Sequence, residues 1–306
     1  MENIKVEVMM SSYNGAEFLC EQVKSILLQE NVNVHLTIRD DGSTDQTREI
    51  LKEFEKDSRI SVVTGQNIGW KKSFLYLLNN VKSEANTFYA FADQDDIWQP
   101  QKLVMGISKL KSDCPMLYHS NVTIMDNEKH VHGNRFSKNM IVTSRMPECF
   151  FNGYGVGATM VFNDQLLRVI QKYNIDVETP HDAYVLAVCS LLGRVIYDSN
   201  SYIMYRRHVG TATGFGSVKN DDNPTLWMRY KKYKKNPKHM FSDRAKLILK
   251  NYADQISPKN RKLLQVVSDY RTNVIHKILL LIDFRIKASS LRKTLQIKYR
   301  AMMNTL

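Results

Sequence analysis

The sequence predicts an α/β fold with a mostly parallel central sheet, and three observations favour this class. Short runs rich in β-branched and aromatic residues alternate with helical patterns through the first hundred residues. Polar segments follow three of the four strands predicted there. The chain has 306 residues, 43% of them apolar, so it is long enough to bury a full core.

The elements of the first half follow in the order β-α-β-α-β-α-β, which is typical of a parallel sheet covered on both faces. In the first helix Leu19, Val23 and Ile26 recur at helical spacing. Ser43 and Gln46 have the spacing of a capping box at the start of the second helix. The predicted strands are residues 5–10, 34–38, 60–64 and 88–91, and the predicted helices lie around residues 19–27, 44–56 and 71–81.

Beyond Pro100 the alternation continues with weaker patterns. The glycine-rich residues 152–157 precede a predicted strand instead of linking a strand to a helix, so they do not form a dinucleotide-binding loop. We expect a helix from Pro100 to about 111, strands near 116–124 and 158–162, a helix from Pro180, and strands at 194–197 and 202–206.

Positive charge is concentrated in the last quarter of the chain. The net charge is +12, yet residues 227–306 hold 20 Lys and Arg against 4 Asp and Glu, whereas residues 1–226 hold 23 against 27. We therefore divide the chain into a domain at 1–226 and a basic helical region at 227–306, whose apolar residues between 263 and 282 predict one stripe on a long helix. Such a charge indicates an anionic partner surface, either a membrane or a nucleic acid.

The four cysteines predict a reduced protein. They are far apart, form no CxxC pair and lie largely in apolar surroundings, so we expect neither disulfides nor zinc ligands. The N-terminus lacks a basic segment followed by a long apolar core, so no signal peptide is expected, and the apolar run at 278–282 is too short to span a bilayer. These observations favour a cytosolic compartment.

Three polar segments stand where predicted strands end, at residues 11–14, 39–43 and 93–96. Ligands of open α/β sheets bind beyond the carboxyl ends of the strands, so these segments are expected to converge on one edge. Asp93, Asp95 and Asp96 repel one another at this spacing, and a hard divalent cation bound through oxygen and shared with phosphates would relieve the repulsion. The alternative is a solvated acidic turn that caps the helix near Pro100; the second acidic pair, at 40 and 41, favours a metal and nucleotide site.

Asp41 has two interpretations. Its carboxylate is suited to accept a hydrogen bond from a nucleobase N–H, while Ser11 and Asn14 could meet ribose or base edges. Alternatively, it is a turn carboxylate that prepares the cap at Ser43. Without further context the turn is the favoured interpretation.

Four segments together resemble the large family 2 of GT-A glycosyltransferases, in the order and spacing of that family. They are residues 9–14 (MMSSYN), 40–45 (DDGSTD), 67–69 (NIG) and 93–103 (DQDDIWQPQKL), within a likeness that covers residues 4–215. The DQDDIW form and the YRRH segment at 205–208 are most similar to bacterial rhamnosyltransferases of cell-surface polysaccharide. The resemblance implies that residues 1–226 form a GT-A (Rossmann-like) catalytic domain, an inverting and metal-dependent transferase of sugar from a nucleoside diphosphate to an acceptor hydroxyl.

The resemblance also implies roles for the polar loops. Asp41 matches the aspartate that contacts the pyrimidine, with Ser11 beside the base. Asp93 and Asp95 match the DxD pair, with Asp95 on the cation, which is Mn²⁺ or Mg²⁺. Lys72 is a looser match to a polar position near the nucleotide. The other nucleotide-sugar contacts expected from the matched segments are Tyr13, Asn14, Asn67 and Gln94.

Asp182 resembles the catalytic base of the family, which takes the proton of the acceptor hydroxyl as that oxygen attacks the anomeric carbon. The alternative is a carboxylate that only interacts with the dipole of the helix beginning near Pro180. His181 stands where Glu or Gly is common in the family, which leaves the role of that side chain open. The residues expected to contact the acceptor or support the site from behind are Asp96, Trp98, His181 and Tyr184.

Three further histidines were considered as ligands. His208 follows a late strand and is expected either on the metal or diphosphate, as in similar enzymes, or in a structural or acceptor-loop role. His130 and His132 form an HxH with no third ligand evident in the sequence, so a surface role is favoured over zinc.

The predicted donor is dTDP-rhamnose, with a UDP-sugar as the alternative, and the predicted acceptor is a glycan or a polyprenyl-diphosphate-linked sugar. The basic region would hold the enzyme on the anionic inner face of the cell membrane without a span, or it would pack on the catalytic domain or on another copy of the chain. No helix-turn-helix, zinc-finger or RNA-binding pattern occurs, which argues against nucleic acid as partner. A non-catalytic nucleotide- or nucleic-acid-binding module remains the rival function.

Overall fold

A computed structural model describes residues 4–111, 113–137, 140, 142–152, 154–175, 179–207 and 238–306. Its centre is a nine-stranded sheet in the order β3-β2-β1-β4-β8-β6-β9-β5, with β7 paired to β6. The three pairings among β1, β2, β3 and β4 are parallel, whereas β8 runs antiparallel between β4 and β6. The expected α/β class with a mostly parallel first half is therefore confirmed.

The first half contains the alternating elements that the sequence predicts. Successive side chains of a strand point to opposite faces of the sheet, so a continuous apolar run places apolar side chains on both faces, and the helices cover those faces. The elements are β1 (Lys5–Ser12), α1 (Ala16–Leu27), β2 (Asn33–Asp40), α2 (Thr47–Phe54), β3 (Ile60–Thr64), α3 (Trp70–Asn80) and β4 (Thr87–Ala92).

The second half extends the sheet beyond β4. Instead of two strands near residues 194–206, a single long strand, β9 (Arg194–Arg206), pairs parallel with β6 and antiparallel with β5. The other elements are β5 (Ile97–Trp98), α4 (Lys102–Ile107), β6 (Met116–Met125), β7 (Val131–Asn134), α5 (Glu148–Asn152), a 3₁₀ turn (Gly157–Thr159), β8 (Val161–Asn163), α6 (Asp164–Gln171) and α7 (His181–Leu192).

Two hydrophobic cores lie on opposite faces of this sheet, and β1 shows why. Val8 and Met10 point into the core under α1 and α2, whereas Met9 between them points into the core formed with α3 and α7. This period of two is the geometry of a fully buried strand. The carboxyl ends of β1, β2 and β4 consequently share one edge of the sheet.

Four helices form the described part of the basic region: α8 (Met240–Tyr252), α9 (Pro258–Asp269), α10 (Val274–Ile282) and α11 (Leu291–Met302). Their inner side chains join the core of the α3 and α7 face. Two polar contacts cross the same boundary: the Tyr184 hydroxyl lies 3.2 Å from that of Tyr252, and the Arg244 guanidinium donates to the Phe150 carbonyl at 2.7 Å. The expected boundary at 226 falls between described segments, in residues 208–237.

Two local expectations were wrong. The apolar residues between 263 and 282 do not form one long helix, because the chain turns between α9 and α10, where Asn273 caps the second helix by accepting the N–H of His276. Helix α2 begins at Thr47 without a side-chain cap, since the Ser43 hydroxyl accepts the N–H of Asn14 instead. A local cap interrupts the helical pattern in the first case, and a contact between residues 29 apart replaces the local cap in the second.

Among the residues that the structure describes, no helix is both long enough and apolar enough to cross a bilayer. All four cysteines are free, with Cys149 and Cys189 buried.

The shared core predicts that the helices after residue 238 unfold together with the sheet. Ile248 of α8 is fully buried in that core, so Ile248→Ala should lower the free energy of unfolding by about 2–4 kcal/mol through lost contacts and a residual cavity. Circular dichroism and tryptophan fluorescence should report one coincident transition during urea unfolding. Leu28→Ala at an exposed position should change the free energy by less than about 0.5 kcal/mol. A separate early transition in the Ile248 variant would show an independent helical unit.

Candidate active site

Hydrogen bonds join the loops after β1, β2 and β4 into one rim. The Asn14 side-chain oxygen accepts the N–H of Thr44 at 2.8 Å, and the Ser43 hydroxyl accepts the N–H of Asn14 at 2.9 Å. The Gln94 side-chain oxygen accepts the N–H of Tyr13 at 2.8 Å, while its amide nitrogen donates to the Tyr13 carbonyl at 3.0 Å. The expected convergence of the three loops is therefore observed, and Gln94 serves to hold two of them together.

Asp41 lies at the bottom of this rim and is only 2% exposed. Its carboxylate accepts three hydrogen bonds: from the Arg39 guanidinium, and from the N–H groups of Ile68 and Gly69 at 2.9 Å each. The pair Arg39–Asp41 is therefore a buried ion pair, and the two backbone bonds fix the 67–69 loop ahead of α3. The interpretation of Asp41 as a turn carboxylate for the Ser43 cap is wrong, because the Asp40 carboxylate accepts the N–H of Ser43 while Asp41 binds Arg39 and the 67–69 loop.

Small hydroxyl groups line the space beside this ion pair. The Ser11 hydroxyl donates to the Ser73 hydroxyl at 2.6 Å, and Ser73 also accepts from Arg39 at 3.1 Å. Ser11 keeps partial exposure, and Lys72 in the first turn of α3 is exposed. The first turn of α3 thus contributes polar groups to the edge where Ser11 ends β1.

Asp93, Asp95 and Asp182 form the acidic part of the edge. All three side chains keep partial exposure. Burial of Asp93, followed by the negative charges of Asp95 and Asp182, raises its pKa to about 7. The geometry agrees with a contribution from Asp182, because the ring of the preceding residue, His181, meets Phe91 near the end of β4 at 4.5 Å.

Asp96 points away from solvent and supports the loop from beneath. It is 1% exposed, and one of its oxygens accepts the N–H of Arg206 at 3.1 Å. Burial, together with the charges of Asp95 and Asp93, raises the pKa of Asp96 well above its usual range. Of the two roles expected for Asp96, the structure is compatible with support and not with acceptor contact.

Lys102 and Trp98 lie in the same buried layer. The Lys102 ammonium stands 3.4 Å from the centre of the Trp98 ring, and both residues are almost fully buried. Burial lowers the pKa of Lys102 to about 7, opposed by the negative charge of Asp96. Trp98 therefore packs under the acidic loop instead of presenting its ring to a sugar.

Arg206, at the end of β9, ties the acidic loop to two distant segments. Its guanidinium donates to the Asp95 carbonyl at 2.9 Å, to the Glu21 carboxylate at 2.9 Å and to the Asn127 carbonyl at 3.2 Å. The side chain is 1% exposed, so these bonds operate out of water. A buried cation thus holds the backbone of the acidic loop from behind.

His181 positions the start of α7 by packing. Its ring stacks on Phe74 with centroids 3.9 Å apart and meets the Phe91 ring edge-on at 4.5 Å. Burial lowers the pKa of His181 to about 4, so the ring is neutral near physiological pH. A Cβ on Gly157 would lie 2.7 Å from the His181 ring and 3.4 Å from the Asp182 Cβ, so only glycine fits there. The glycine-rich segment therefore allows its backbone at Gly157 to lie close to the start of α7.

The remaining expected residues lie at several places. Tyr184 is fully buried and its hydroxyl meets Tyr252, so it supports α7 in the core and does not contact an acceptor. Asn67 is exposed in the loop fixed by Asp41, where its side-chain oxygen accepts the N–H of Gly69. His208 lies outside the described residues.

The HxH pair lies at the turn between β6 and β7. Asp126 pairs with His132 at 2.9 Å and with His130 at 3.3 Å. Asp126, Glu128 and His130 have ligand atoms within 4.8 Å of one another, a group that the spacing of the histidines did not predict. His130 and Glu128 are exposed, which is compatible with the surface role expected of the pair.

A divalent cation fits the acidic edge by the chemistry of its donors. Asp93 and Asp95 offer partly accessible carboxylate oxygens, the ligands preferred by Mg²⁺ and suited to Mn²⁺. Burial, followed by the charges of Asp95 and Asp182, raises the pKa of Asp93, and a cation bound there would favour its ionised form. Asp96 is held by the Arg206 backbone beneath them.

Comparison with known proteins settles the family. A profile described as Glycosyl transferase family 2 matches residues 7–209, two thirds of the chain. The chain belongs to this family. The dTDP-rhamnosyl transferase RfbG of Shigella flexneri is 29% identical over 216 residues, 67% of this chain and 73% of that protein. The UDP-Glc:alpha-D-GlcNAc-diphosphoundecaprenol beta-1,3-glucosyltransferase WfgD of Escherichia coli is 30% identical over 168 residues, 55% of this chain and 63% of that protein.

Solved structures confirm the GT-A fold of this family 2 glycosyltransferase. TarS 1–349 of S. aureus in complex with UDP-GlcNAc aligns with a TM-score of 0.55 at 16% identity, over 98% of this chain and 84% of that one. The mannosyltransferase PcManGT of Pyrobaculum calidifontis, in complex with GDP-Man and Mn²⁺, aligns with a TM-score of 0.51 at 13% identity, over 99% and 81%.

Sequence reasoning missed the buried residues that hold the site of this glycosyltransferase. Arg39 is the one Lys or Arg of β2 and Lys102 the one of α4, a pattern that indicates a paired interior cation. Their partners Asp41 and Trp98 are close along the chain, so this pairing left a sign in the sequence. Arg206 acts on Glu21 and on the Asp95 carbonyl, both far along the chain, so local spacing contains no sign of its role.

The contacts predict losses of stability of different size when two carboxylates of this glycosyltransferase are replaced. Asp41→Asn removes the counter-charge of buried Arg39 and places an amide group against two backbone donors, so it should cost about 3 kcal/mol or more. Asp95→Ala should cost less than about 1 kcal/mol, because the Asp95 charge opposes ionisation of Asp93. Urea unfolding of both variants measures the difference. Equal losses would contradict the assignment of Asp41 to the framework and Asp95 to the ligand site.

Proposed function

We propose that this chain is an inverting, metal-dependent glycosyltransferase that transfers L-rhamnose from dTDP-β-L-rhamnose to a hydroxyl group of a lipid-linked or glycan acceptor. The observation that carries the proposal is the contact of the His181 ring with Phe91 of β4 at 4.5 Å, which sets the first turn of α7, and with it Asp182, beside the end of β4 where Asp93 and Asp95 follow. A base beside a carboxylate pair suited to a cation is what direct displacement of a diphosphate requires.

Asp182 is the proposed general base. One of its oxygens accepts the N–H of Ala183 at 2.6 Å, which fixes the carboxylate and leaves Oδ2 for the proton of the acceptor hydroxyl. The hydroxyl oxygen then bonds the anomeric carbon as the bond from that carbon to the diphosphate oxygen breaks. Neutral His181 cannot replace it as base, because both of its ring nitrogens are enclosed by the aromatic rings and the Gly157 backbone.

Asp93 and Asp95 are the proposed ligands of Mn²⁺ or Mg²⁺. The cation would supply positive charge to the leaving diphosphate, as carboxylate-bound metals do for transferring phosphates. The chain's own contribution is to hold the loop rigid: Arg206 fixes the Asp95 carbonyl and Asp96 lies bound beneath. His208 remains a proposed additional ligand.

The nucleotide is proposed to lie along the rim between Ser11 and the 67–69 loop. Arg39 and the two backbone N–H groups orient the Asp41 carboxylate before any ligand arrives, leaving one acceptor position for a base N–H. Tyr13, Asn14, Asn67 and Lys72 are exposed around the rim and are the proposed further contacts.

The likeness to RfbG supports dTDP-rhamnose as donor. The likeness to WfgD supports a second candidate, a UDP-sugar, and it also supports an acceptor joined to a polyprenyl diphosphate. Such an acceptor would place the enzyme at the inner face of the cell membrane, where the basic region 227–306 can meet anionic lipid. Thermal shift with a panel of nucleotide sugars separates the two donors, since the better ligand raises the melting temperature more.

Asp182→Asn separates catalysis from binding. The amide keeps the size and polarity of the side chain but cannot take the hydroxyl proton, so transfer should fall by roughly 10²- to 10⁴-fold while donor affinity persists. Donor titration by calorimetry and the rate of nucleoside diphosphate release measure the two quantities. Near-normal transfer by the variant would reject Asp182 as the base.

The configuration of the product tests the single displacement. Direct attack turns a β-linked donor into an α-linked product, with no covalent sugar on the enzyme, and NMR of the anomeric proton distinguishes the two outcomes. A retained configuration would reject the inverting mechanism. Nucleotide binding with no turnover for any donor or acceptor would favour the rival non-catalytic module.

Asp95→Ala tests the cation site. Donor binding by the parent should strengthen when Mn²⁺ is added and weaken when EDTA removes it, whereas the variant should bind weakly and without response to either. Lys72→Ala is the matched control at the exposed rim, where the response to Mn²⁺ should remain. An unchanged Mn²⁺ response in Asp95→Ala would remove this side chain from the metal site.

A further inference from the structure

Helices α10 and α11 leave an unusual amount of apolar surface exposed. On α10 the side chains of Val274, Ile275, Ile278 and Ile282 are 48–71% exposed, at the spacing of one helical stripe. On α11 the exposed stripe consists of Leu291, Leu295, Tyr299 and Met302, and Phe284 between the helices is 82% exposed. We call these nine residues the outer apolar face.

Each of the two helices has another apolar side, which packs into the protein core, in addition to the outer apolar face. Leu280 on α10, and Ile297 and Ala301 on α11, already point into the protein core, so both helices are apolar on two sides. The pattern is strongest on α10, whose sequence VIHKILLLI has only two polar residues, and a helix that is apolar on nearly every side is typical of a segment that is covered on every side. The intramolecular core covers only one of these sides.

Contacts at both ends hold the two helices side by side. The Lys298 ammonium donates to the Leu281 carbonyl at 2.8 Å, and the Lys277 ammonium donates to the Asn304 side-chain oxygen at 3.0 Å. The Leu306 N–H donates to the Tyr270 hydroxyl at 2.9 Å, which fastens the last residue to α9. The outer apolar face is therefore part of a fixed surface that is continuous with the core of the catalytic domain.

The charge around this surface selects its partner. Residues 271–306 contain eight Lys and Arg and a single acid, Asp283, which is bound by Arg285 at 2.8 Å. Some of these cations are held by the protein itself, since Lys298 donates to the Leu281 carbonyl and Lys287 faces Glu148 at 3.7 Å. The segment still has a positive excess, and in a two-fold dimer the same patch would meet itself and bring the excess of both copies together. An anionic lipid leaflet offers the opposite charge and accepts apolar side chains beneath the headgroups.

We propose that the outer apolar face of α10 and α11 inserts into an anionic membrane leaflet while the surrounding lysines and arginines contact the lipid headgroups. This goes beyond the transfer reaction, and beyond attraction by the basic region alone, because it assigns the adhesion to particular apolar side chains. It requires neither the donor nor the cation.

The test is binding of the full chain to vesicles of phosphatidylcholine with 30% phosphatidylglycerol, by co-sedimentation without nucleotide sugar. Ile282→Ser with Phe284→Ser should weaken binding by about tenfold or more, because two side chains no longer enter the apolar layer. The matched control is Leu28→Ser with Val131→Ser, two exposed apolar positions elsewhere, which should leave binding unchanged. Both pairs should keep the parent melting temperature.

Two further measurements can overturn the proposal. At 0.5 M NaCl binding should weaken but persist, whereas complete loss would show that charge alone holds the protein to lipid. Failure of the parent to bind the anionic vesicles, equal binding by both double variants, or a dimer that only Ile282→Ser with Phe284→Ser dissociates would each reject insertion. None of these results depends on whether rhamnose is the transferred sugar.

Discussion

The crowding of negative charge after β4 is the constraint to which much of this structure responds. Three aspartates occur within four residues, and a fourth, Asp182, comes from α7. Burial of Asp93, followed by the charges of Asp95 and Asp182, raises its pKa, so ionising all of these carboxyl groups together is unfavourable. The fold relieves part of the crowding by turning Asp96 inward, toward the Arg206 backbone and the charge of Lys102.

The second half of the sheet can be understood as the scaffold that makes this arrangement possible. Strand β9 runs along β6 and delivers Arg206 behind the acidic loop, while β5 attaches the same loop to β9 through Ile97 and Trp98. Strand β8 and the 3₁₀ turn bring Gly157 against the start of α7. Asp93 and Asp95 therefore stay partly exposed, and the groups that hold their loop stay buried.

The sequence predicted the first half of the fold well, because parallel strands and covering helices carry strong periodic patterns. The edge that collects Ser11, Asp41 and Asp93 followed from strand order alone. Helix caps and strand lengths were less predictable: Ser43 lost its capping role to a contact with Asn14, and two expected strands proved to be one. Those outcomes depend on partners about 30 to 80 residues away, as in the pairing of Ser120 with Asp198.

The partly exposed carboxylates of the candidate site could be named from the sequence, whereas its buried supports could not. Asp93, Asp95 and Asp182 belong to short segments with recognisable neighbours, whereas Arg39, Ser73 and Lys102 act through contacts that only the folded chain creates. Of the two roles expected for Tyr184, acceptor contact or support, the structure is compatible with support, because its hydroxyl meets that of Tyr252 on α8 in the core.

The apolar stripe of the basic region also shows that contacts formed on folding could not be predicted from the sequence, and here they bear on function. Sequence periodicity detected apolar residues from 263 to 282 but could not decide which side of each helix would be covered. After the turn at Asn273, Leu280 continues into the core while Ile278 and Ile282 emerge at the surface. Tyr252 and Arg244 connect α8 to α7 and α5, and α8 shares one core with α10 and α11. A leaflet bound at α10 and α11 would therefore meet a body that includes the helix carrying Asp182. Adhesion would then fix the height of the active site above the lipid surface, which is a requirement for an enzyme whose acceptor is anchored there.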